Sequence, residues 1–272
     1  MSPTMTGNKM TVSTTATPLR WVLPAVLSTT AGAVDVIGFL ALGGLFTAHI
    51  TGNLVVLAAH YMTGDFGETG PLLAVPVFVL VLGAVTVAAV GFETTRYGSR
   101  RALLCLQAVL LAGCLAVGVG FGPFADPDGP NAVLAGMLGV AAMAIQNALV
   151  RLALPGSPST AVMTTNITQF TVDLAAIVRG VSEPEGLATA RRRASVTLPC
   201  IVGFMAGCAA GAVLETHFGL WALALPAGLA TLALTLDARK GDGRPHPPLA
   251  LRSDGAGTTE VVRTDDMVRP PR

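Results

Sequence analysis

Between Trp21 and Leu236 the chain is a succession of apolar runs, most of them close to the length a helix needs to cross a bilayer. A helix of about 20 apolar residues spans the hydrocarbon core. No water reaches that core, so every backbone amide must find its partner inside the protein, and runs this long meet the demand as helices. Charged residues make up 12% of the chain, against roughly 25% in a soluble domain. These features define an all-α, polytopic membrane protein.

In chain order, residues 1–20 form a polar, Ser- and Thr-rich tail with no periodicity, expected to be disordered. Trp21 to about Leu45 is the first span. Its length exceeds the apolar core of a signal peptide, so it reads as an uncleaved helix. A short apolar piece, Leu54 to Tyr61, follows, then spans from Leu72 to Gly91 and from Ala102 to Phe121. The turn-rich stretch 122–131 is the midpoint. Ala132 to Ala153 is the fourth span, Ile167 to Val178 a second short piece, and Ala194 to Val213 and Gly219 to Leu236 are the last two. Residues 238–272 are charged and proline-rich and are expected to be a disordered tail. The domain reading is a first membrane repeat over 21–121, an external linker over 122–131, and a second membrane repeat over 132–237.

Two polar interruptions punctuate this pattern. Thr47–Asn53 reads TAHITGN, and Thr160–Asn166 reads TAVMTTN. Thr, Gly and Asn are poor inside helices and good at caps and turns. Within apolar sequence they mark helices that break and restart. Broken backbone at membrane depth survives only where protein or a water-filled cavity covers it. The echo therefore points to a site between two related halves.

Further matches support a duplication. Gly83 and Gly91 correspond to Gly203 and Gly211, and Glu93-Thr94 to Glu215-Thr216. Each half then holds three full spans and one short piece, and an odd number inverts the second half. The charges agree. With the N-terminus in the cytoplasm, Lys9, Arg20, Arg96, Arg100, Arg101, Arg151, Arg179 and Arg191 to Arg193 all fall inside. The loops 63–70, 122–131 and 214–218 hold no Lys or Arg. This is the positive-inside pattern. An eight-span alternative would turn Arg96, Arg100 and Arg101 outward. The expectation is about six transmembrane helices in a 3+3 inverted repeat with two short broken or re-entrant helices.

The run Ala31-Gly32-x-x-Asp35-x-x-Gly38-Phe39, followed by Gly43-Gly44-x-Phe46-x-x-His49-x-Thr51-Gly52-Asn53, resembles the YoaK family of bacterial membrane proteins. Gln146-Asn147 followed by Thr164-Thr165-Asn166 is similar to that family's second-half signature. The resemblance covers roughly residues 20–237. It implies about six spans and a bacterial cytoplasmic membrane, and no activity, because the family's function is unknown.

Asp35 is the one acid well inside a full span. An ionisable group at that depth is costly and counts first as a functional hypothesis. It could carry a proton, ligate a cation or anchor a solute; otherwise it is a protonated or hydrogen-bonded carboxyl holding helices together. Asn53 and Asn166 are placed to cap the short helices, whose positive ends would favour an anionic or strongly polar solute. Thr47, Thr51, Gln146, Asn147 and Thr164 complete the candidate solute site. His49 has no counterpart in the second half, where Val162 stands, and reads as structural. Asp173 is as consistent with solvation as with function. Gly203, Gly207 and Gly211 share one helix stripe, the spacing of close helix packing.

Other classes find little support. The net charge of +1 implies no nucleic-acid surface. Cys105, Cys114, Cys200 and Cys208 sit in apolar runs without ligand spacing and read as packing residues, so neither metal nor cofactor is expected. No hydrolase, zincin, P-loop or dinucleotide fingerprint is present, and the chain reads as a non-enzyme. The leading reading is a secondary transporter or permease for a small polar or anionic solute in a lipid bilayer, self-association being compatible with it. The alternatives are a membrane scaffold or accessory subunit, or a passive channel.

Overall fold

The computed structural model describes residues 19–64, 68–91, 96–180, 184–241, 249–253 and 259–263. Eight α-helices dominate the described residues: α1 (Leu19–Ala41), α2 (Gly52–Thr63), α3 (Thr69–Gly91), α4 (Arg96–Phe121), α5 (Pro130–Ala153), α6 (Met163–Arg179), α7 (Pro184–Phe218) and α8 (Ala224–Gly241). A 3-10 turn, Gly219–Leu223, joins the last two. Five helical stretches among the described residues are long and apolar enough to cross a membrane: Trp21–Ala41, Thr69–Ala89, Arg100–Phe121, Pro130–Ala153 and Glu185–Ala238, the last comprising α7 and α8 together. With 12 and 17 residues, α2 and α6 are shorter than a span.

Several boundaries differ from the sequence reading. Arg96, Arg100 and Arg101 lie in the first turns of α4 rather than in a loop, and α7 begins ahead of Arg191 to Arg193. Thr164 to Asn166 belong to the first turn of α6 instead of preceding it. The tail expected to be disordered carries α8 on to Gly241 and then pairs β1 (Leu249–Ser253) with β2 (Thr259–Arg263) as an antiparallel hairpin. Both arms mix Leu, Val or Thr with polar residues, which suits a strand and offers no helical stripe. The N-terminal tail through residue 18 and the Glu93-Thr94 match lie outside the described residues.

The packing interleaves the two halves. Helix α1 lies along α7 and also meets α8, whereas α5 lies along α4 and also meets α3. Helix α2 leans on α3, as α6 leans on α7, and α4 meets α8. The α1–α7 seam is the tightest. A Cβ on Gly203 would sit 2.8 Å from the Ala25 carbonyl oxygen, and one on Gly211 would sit 2.7 Å from Val36. Gly207 and Gly32 face opposite backbone directly, against Thr29 and Phe204. Small residues let membrane helices approach to backbone contact, where dispersion replaces the hydrophobic drive that lipid cannot supply. The glycine stripe of α7 thus packs as its spacing implies.

The 122–131 linker is anchored as well. The Asp128 carboxylate accepts from the Glu68 and Thr69 amides at 3.0 and 2.7 Å, covering the N-terminal end of α3. Nearby, His60 at the end of α2 pairs with Glu68 at 2.7 Å.

The seam yields a direct test. Gly207→Leu is expected to destabilise the detergent-solubilised protein by about 3 kcal/mol or more, or to abolish assembly, because backbone would have to part. Gly83→Ala, where nothing lies within 4 Å of the added carbon, should leave thermal unfolding unchanged.

Candidate functional site

The first break is a reverse turn folded back on its own helix. Helix α1 ends at Ala41, and the turn after it passes through Gly43 and Gly44, both in the left-handed region with φ of 65° and 82°, which glycine adopts without strain. The chain then runs back along the last turns of α1. It passes so close to Gly38 that a Cβ there would lie 2.9 Å from the Leu45 carbonyl oxygen. This return brings residues 47–49 to Asp35.

Asp35 is 3% exposed, yet its carboxylate is fully engaged. Oδ1 accepts from the Thr47 and Ala48 amides at 2.8 and 2.7 Å, with longer approaches of 3.4 Å from the His49 amide and the Thr47 hydroxyl. Oδ2 faces His49 Nδ1 at 2.7 Å. The carboxylate therefore satisfies amides that the break strips of helical partners, and those amides stabilise its charge. Helix α5 closes the other side: Gly139 leaves room for the Thr47 methyl and Gly136 for Leu45.

Neither asparagine caps its helix, contrary to the sequence expectation. Thr51 and Val162 hold the N-cap positions, without side-chain cap bonds. Each asparagine instead reaches back seven residues. Asn53 accepts from the Phe46 amide at 2.8 Å and donates to the Phe46 carbonyl at 2.7 Å; Asn166 donates to the Ser159 carbonyl at 2.6 Å. Local propensity suggested the cap, but orphaned backbone within the break is the stronger demand at this depth.

The second break is held by neutral amides. Gln146 donates to the Leu27 carbonyl at 3.0 Å and to the Thr160 hydroxyl at 2.9 Å, and accepts from Gln107 at 2.6 Å. Asn147 donates to its own helix at Met143. Thr164 is exposed. The candidate residues thus fall into two clusters, Asp35 with Thr47, and Gln146 with Thr160. They meet through apolar contact, since Ala48 and Ala161 enter one core cluster with Val34, Ile37 and Met143.

A cavity of about 410 Å³ opens beside the first cluster, lined by Asp35, Val36, Phe39, Phe46, His49, Thr51, Gly52, Phe204 and Cys208. Its wall is mostly apolar and holds no Lys or Arg. The Gly52, Asn53 and Leu54 amides at the start of α2 bond to the His49, Ile50 and Thr51 carbonyls at 2.8 to 3.2 Å. The donors expected to receive an anion are consequently taken, and the amides ahead of them already bond to the Asp35 carboxyl oxygen. A second cavity, about 190 Å³, lies between Arg100, Asp237 and the Pro155-Gly156 turn. Arg100 and Asp237 form an ion pair there.

Sequence reasoning missed several of these residues. His49 is the partner of Asp35, and Phe39, Phe46, Phe204 and Cys208 shape the cavity. Phe39, Phe46 and His49 stand inside the family-like run, which was the available signal; Phe204 and Cys208 come from α7, and Gln107 from α4, distant in sequence. Asp173 is buried and accepts from Arg193 at 2.7 Å, so it is not a solvated residue.

These features define a class: a multi-pass membrane protein with a helical membrane region whose broken helix is pinned to a buried carboxylate. Residues 23–236 match the family described as Protein of unknown function (DUF1275), and the chain belongs to that family. Over 43 residues it is 56% identical to the UPF0700 transmembrane protein YoaK of Bacillus subtilis (strain 168), a match covering 16% of this chain and 19% of that protein. No solved structure matches.

Asn53 and Asn147 can be told apart by stability. Asn53→Ala removes two bonds to otherwise orphaned backbone and should cost about 1–3 kcal/mol. Asn147→Ala removes only a bond within its own helix and should lie within about 0.5 kcal/mol of wild type in the same thermal unfolding assay.

Proposed function

We propose that this protein is a secondary transporter of the bacterial cytoplasmic membrane, built as a 3+3 inverted repeat with both termini in the cytoplasm. The interleaved packing supports the repeat. Exchanging the halves, α1 for α5, α2 for α6, α3 for α7 and α4 for α8, turns each main helix contact into another that exists. Gly43 and Gly156, Phe46 and Ser159, Thr47 and Thr160, and Asn53 and Asn166 share one spacing, and Gly156 is left-handed like Gly43. Inverted repeats with discontinuous helices recur in carriers, which bind solutes where those helices break.

The observation that carries the transport reading is the 410 Å³ cavity against the first break, with a buried carboxylate in its wall. The solute is small and meets mainly apolar lining. An anionic solute loses its basis, because the amides at the break are occupied. One observation favours a second reading, a non-transporting scaffold: Asp35 Oδ1 is already consumed in holding the turn.

The two readings diverge at Asp35→Asn. Asparagine keeps an acceptor for the Thr47 and Ala48 amides, so the variant should reach the membrane and unfold close to the wild-type temperature. As a transporter it should lose gradient-driven flux in proteoliposomes by about tenfold or more; full retention of flux would remove Asp35 from any coupling role. Orientation is checked separately. In a cysteine-free background, Arg100→Cys should react only from the cytoplasmic side, and labelling from outside in sealed cells would sink the six-span arrangement.

A further inference from the structure

We propose that the cavity beside Asp35 is a binding site for a small organic cation, a protonated amine on an apolar body, and that the His49 side chain occupies the same carboxylate oxygen when the site is empty. The inference rests on reading this cavity as the solute site. Three features carry it.

The first is charge. Asp35 is the acid in the cavity wall, and no Lys or Arg lines it. The other titratable neighbours are His49 on the turn and Cys208 on α7, and the start of α2 contributes only Gly52 and its N-cap Thr51. The carboxylate's two oxygens are unequal. Oδ1 is committed to backbone, whereas Oδ2 has a side-chain partner that can move away.

The second feature is what surrounds that partner. The His49 ring has Phe204 at 5.4 Å and Phe46 at 6.2 Å between centroids, both at steep interplanar angles, and Phe39 lies tilted against Phe46 at 4.9 Å. A buried carboxylate oxygen among apolar aromatic side chains is the environment in which a cation on an apolar body is held, by ion pairing with the carboxylate and by burial of the apolar body. The imidazole already fills the position such a ligand would take.

The third feature is room to exchange. The His49 side chain is 39% exposed, while Asp35 is enclosed and held by the turn. An incoming ammonium donates to Oδ2 as the imidazole swings into the cavity mouth. If His49 is protonated beforehand, its proton passes to water as the ammonium arrives, and the charge at the carboxylate is unchanged. Protons and solute therefore compete for one oxygen, which is the arrangement a cation–proton exchanger requires.

Phenethylammonium is a suitable probe, with phenylacetate and 2-phenylethanol as anionic and neutral counterparts of similar shape. Binding to the purified full chain in detergent is measured by calorimetry between about pH 8 and pH 5, the range in which an imidazole titrates. Phenethylammonium should bind at least about tenfold more tightly than either counterpart at the alkaline end and weaken on acidification, with a limiting slope of about tenfold per pH unit. His49→Ala leaves the Asp35 backbone bonds in place; it should bind the amine at least as well as wild type and lose the acid weakening. Asp35→Asn should abolish binding.

Equal binding of phenylacetate or 2-phenylethanol, no binding of the amine, or unchanged acid weakening in His49→Ala would each overturn the proposal. Amine binding without flux in vesicles would remove transport and leave the site. Flux of another solute by protein that does not bind the amine would remove the site and leave transport.

Discussion

The fold depends on the bond between the Asp35 carboxylate and the amides of Thr47 and Ala48. Either partner alone would be untenable. An unpaired carboxylate inside a bilayer costs several kcal/mol or takes up a proton. A reverse turn at the same depth leaves donors that no water can reach. Together each cancels the other's penalty, and the result is a break that is rigid because its polar groups have nowhere else to go. Gly43 and Gly44 make the reversal sterically allowed, and Gly38 makes the return close enough for the bond to form.

The second half meets the same demand with neutral chemistry. Gln146 supplies the donor to Thr160, and Asn166 ties α6 back to Ser159 much as Asn53 ties α2 to Phe46. A related backbone is thus held once by a charge and once by an amide. Only the charged version carries an imidazole and opens onto the larger cavity. The first break thus places a carboxyl and an imidazole side by side, where the second places amides and a hydroxyl.

Much of this was legible in the sequence, for reasons that also explain what was not. Apolar run length is a direct consequence of the bilayer, so the helices and the two short pieces could be read without tertiary knowledge. The breaks were legible because Thr, Gly and Asn are costly in apolar runs unless they serve a purpose. The roles of Asn53 and Asn166 were misread because capping is a local rule, and the competing partners, Phe46 and Ser159, become accessible only once the chain reverses. His49 was read as structural because its partner lies fourteen residues back, beyond helical spacing, and is reached only through the turn. Phe204 and Cys208 were illegible for a different reason: which face of α7 meets the cavity is set by helix packing.

That packing links the glycine seam to the site. Gly203 and Gly207 bracket Phe204, and a Cβ on Gly32 of α1 would run into the Phe204 carbonyl and lie 3.1 Å from the Cys208 amide. Contact at backbone level leaves little freedom for α1 to slide along α7, so the Asp35 carboxylate and the Phe204 ring are fixed relative to one another before any ligand arrives. A site whose charge and aromatic wall are held by two interlocked helices loses little conformational entropy on binding. The His49 side chain, by contrast, belongs to neither helix and is partly exposed to the cavity it borders. The stripe has no chemistry of its own, but it determines how rigid the wall opposite Asp35 can be; at the proposed cation site, selectivity would then rest on charge more than on induced fit.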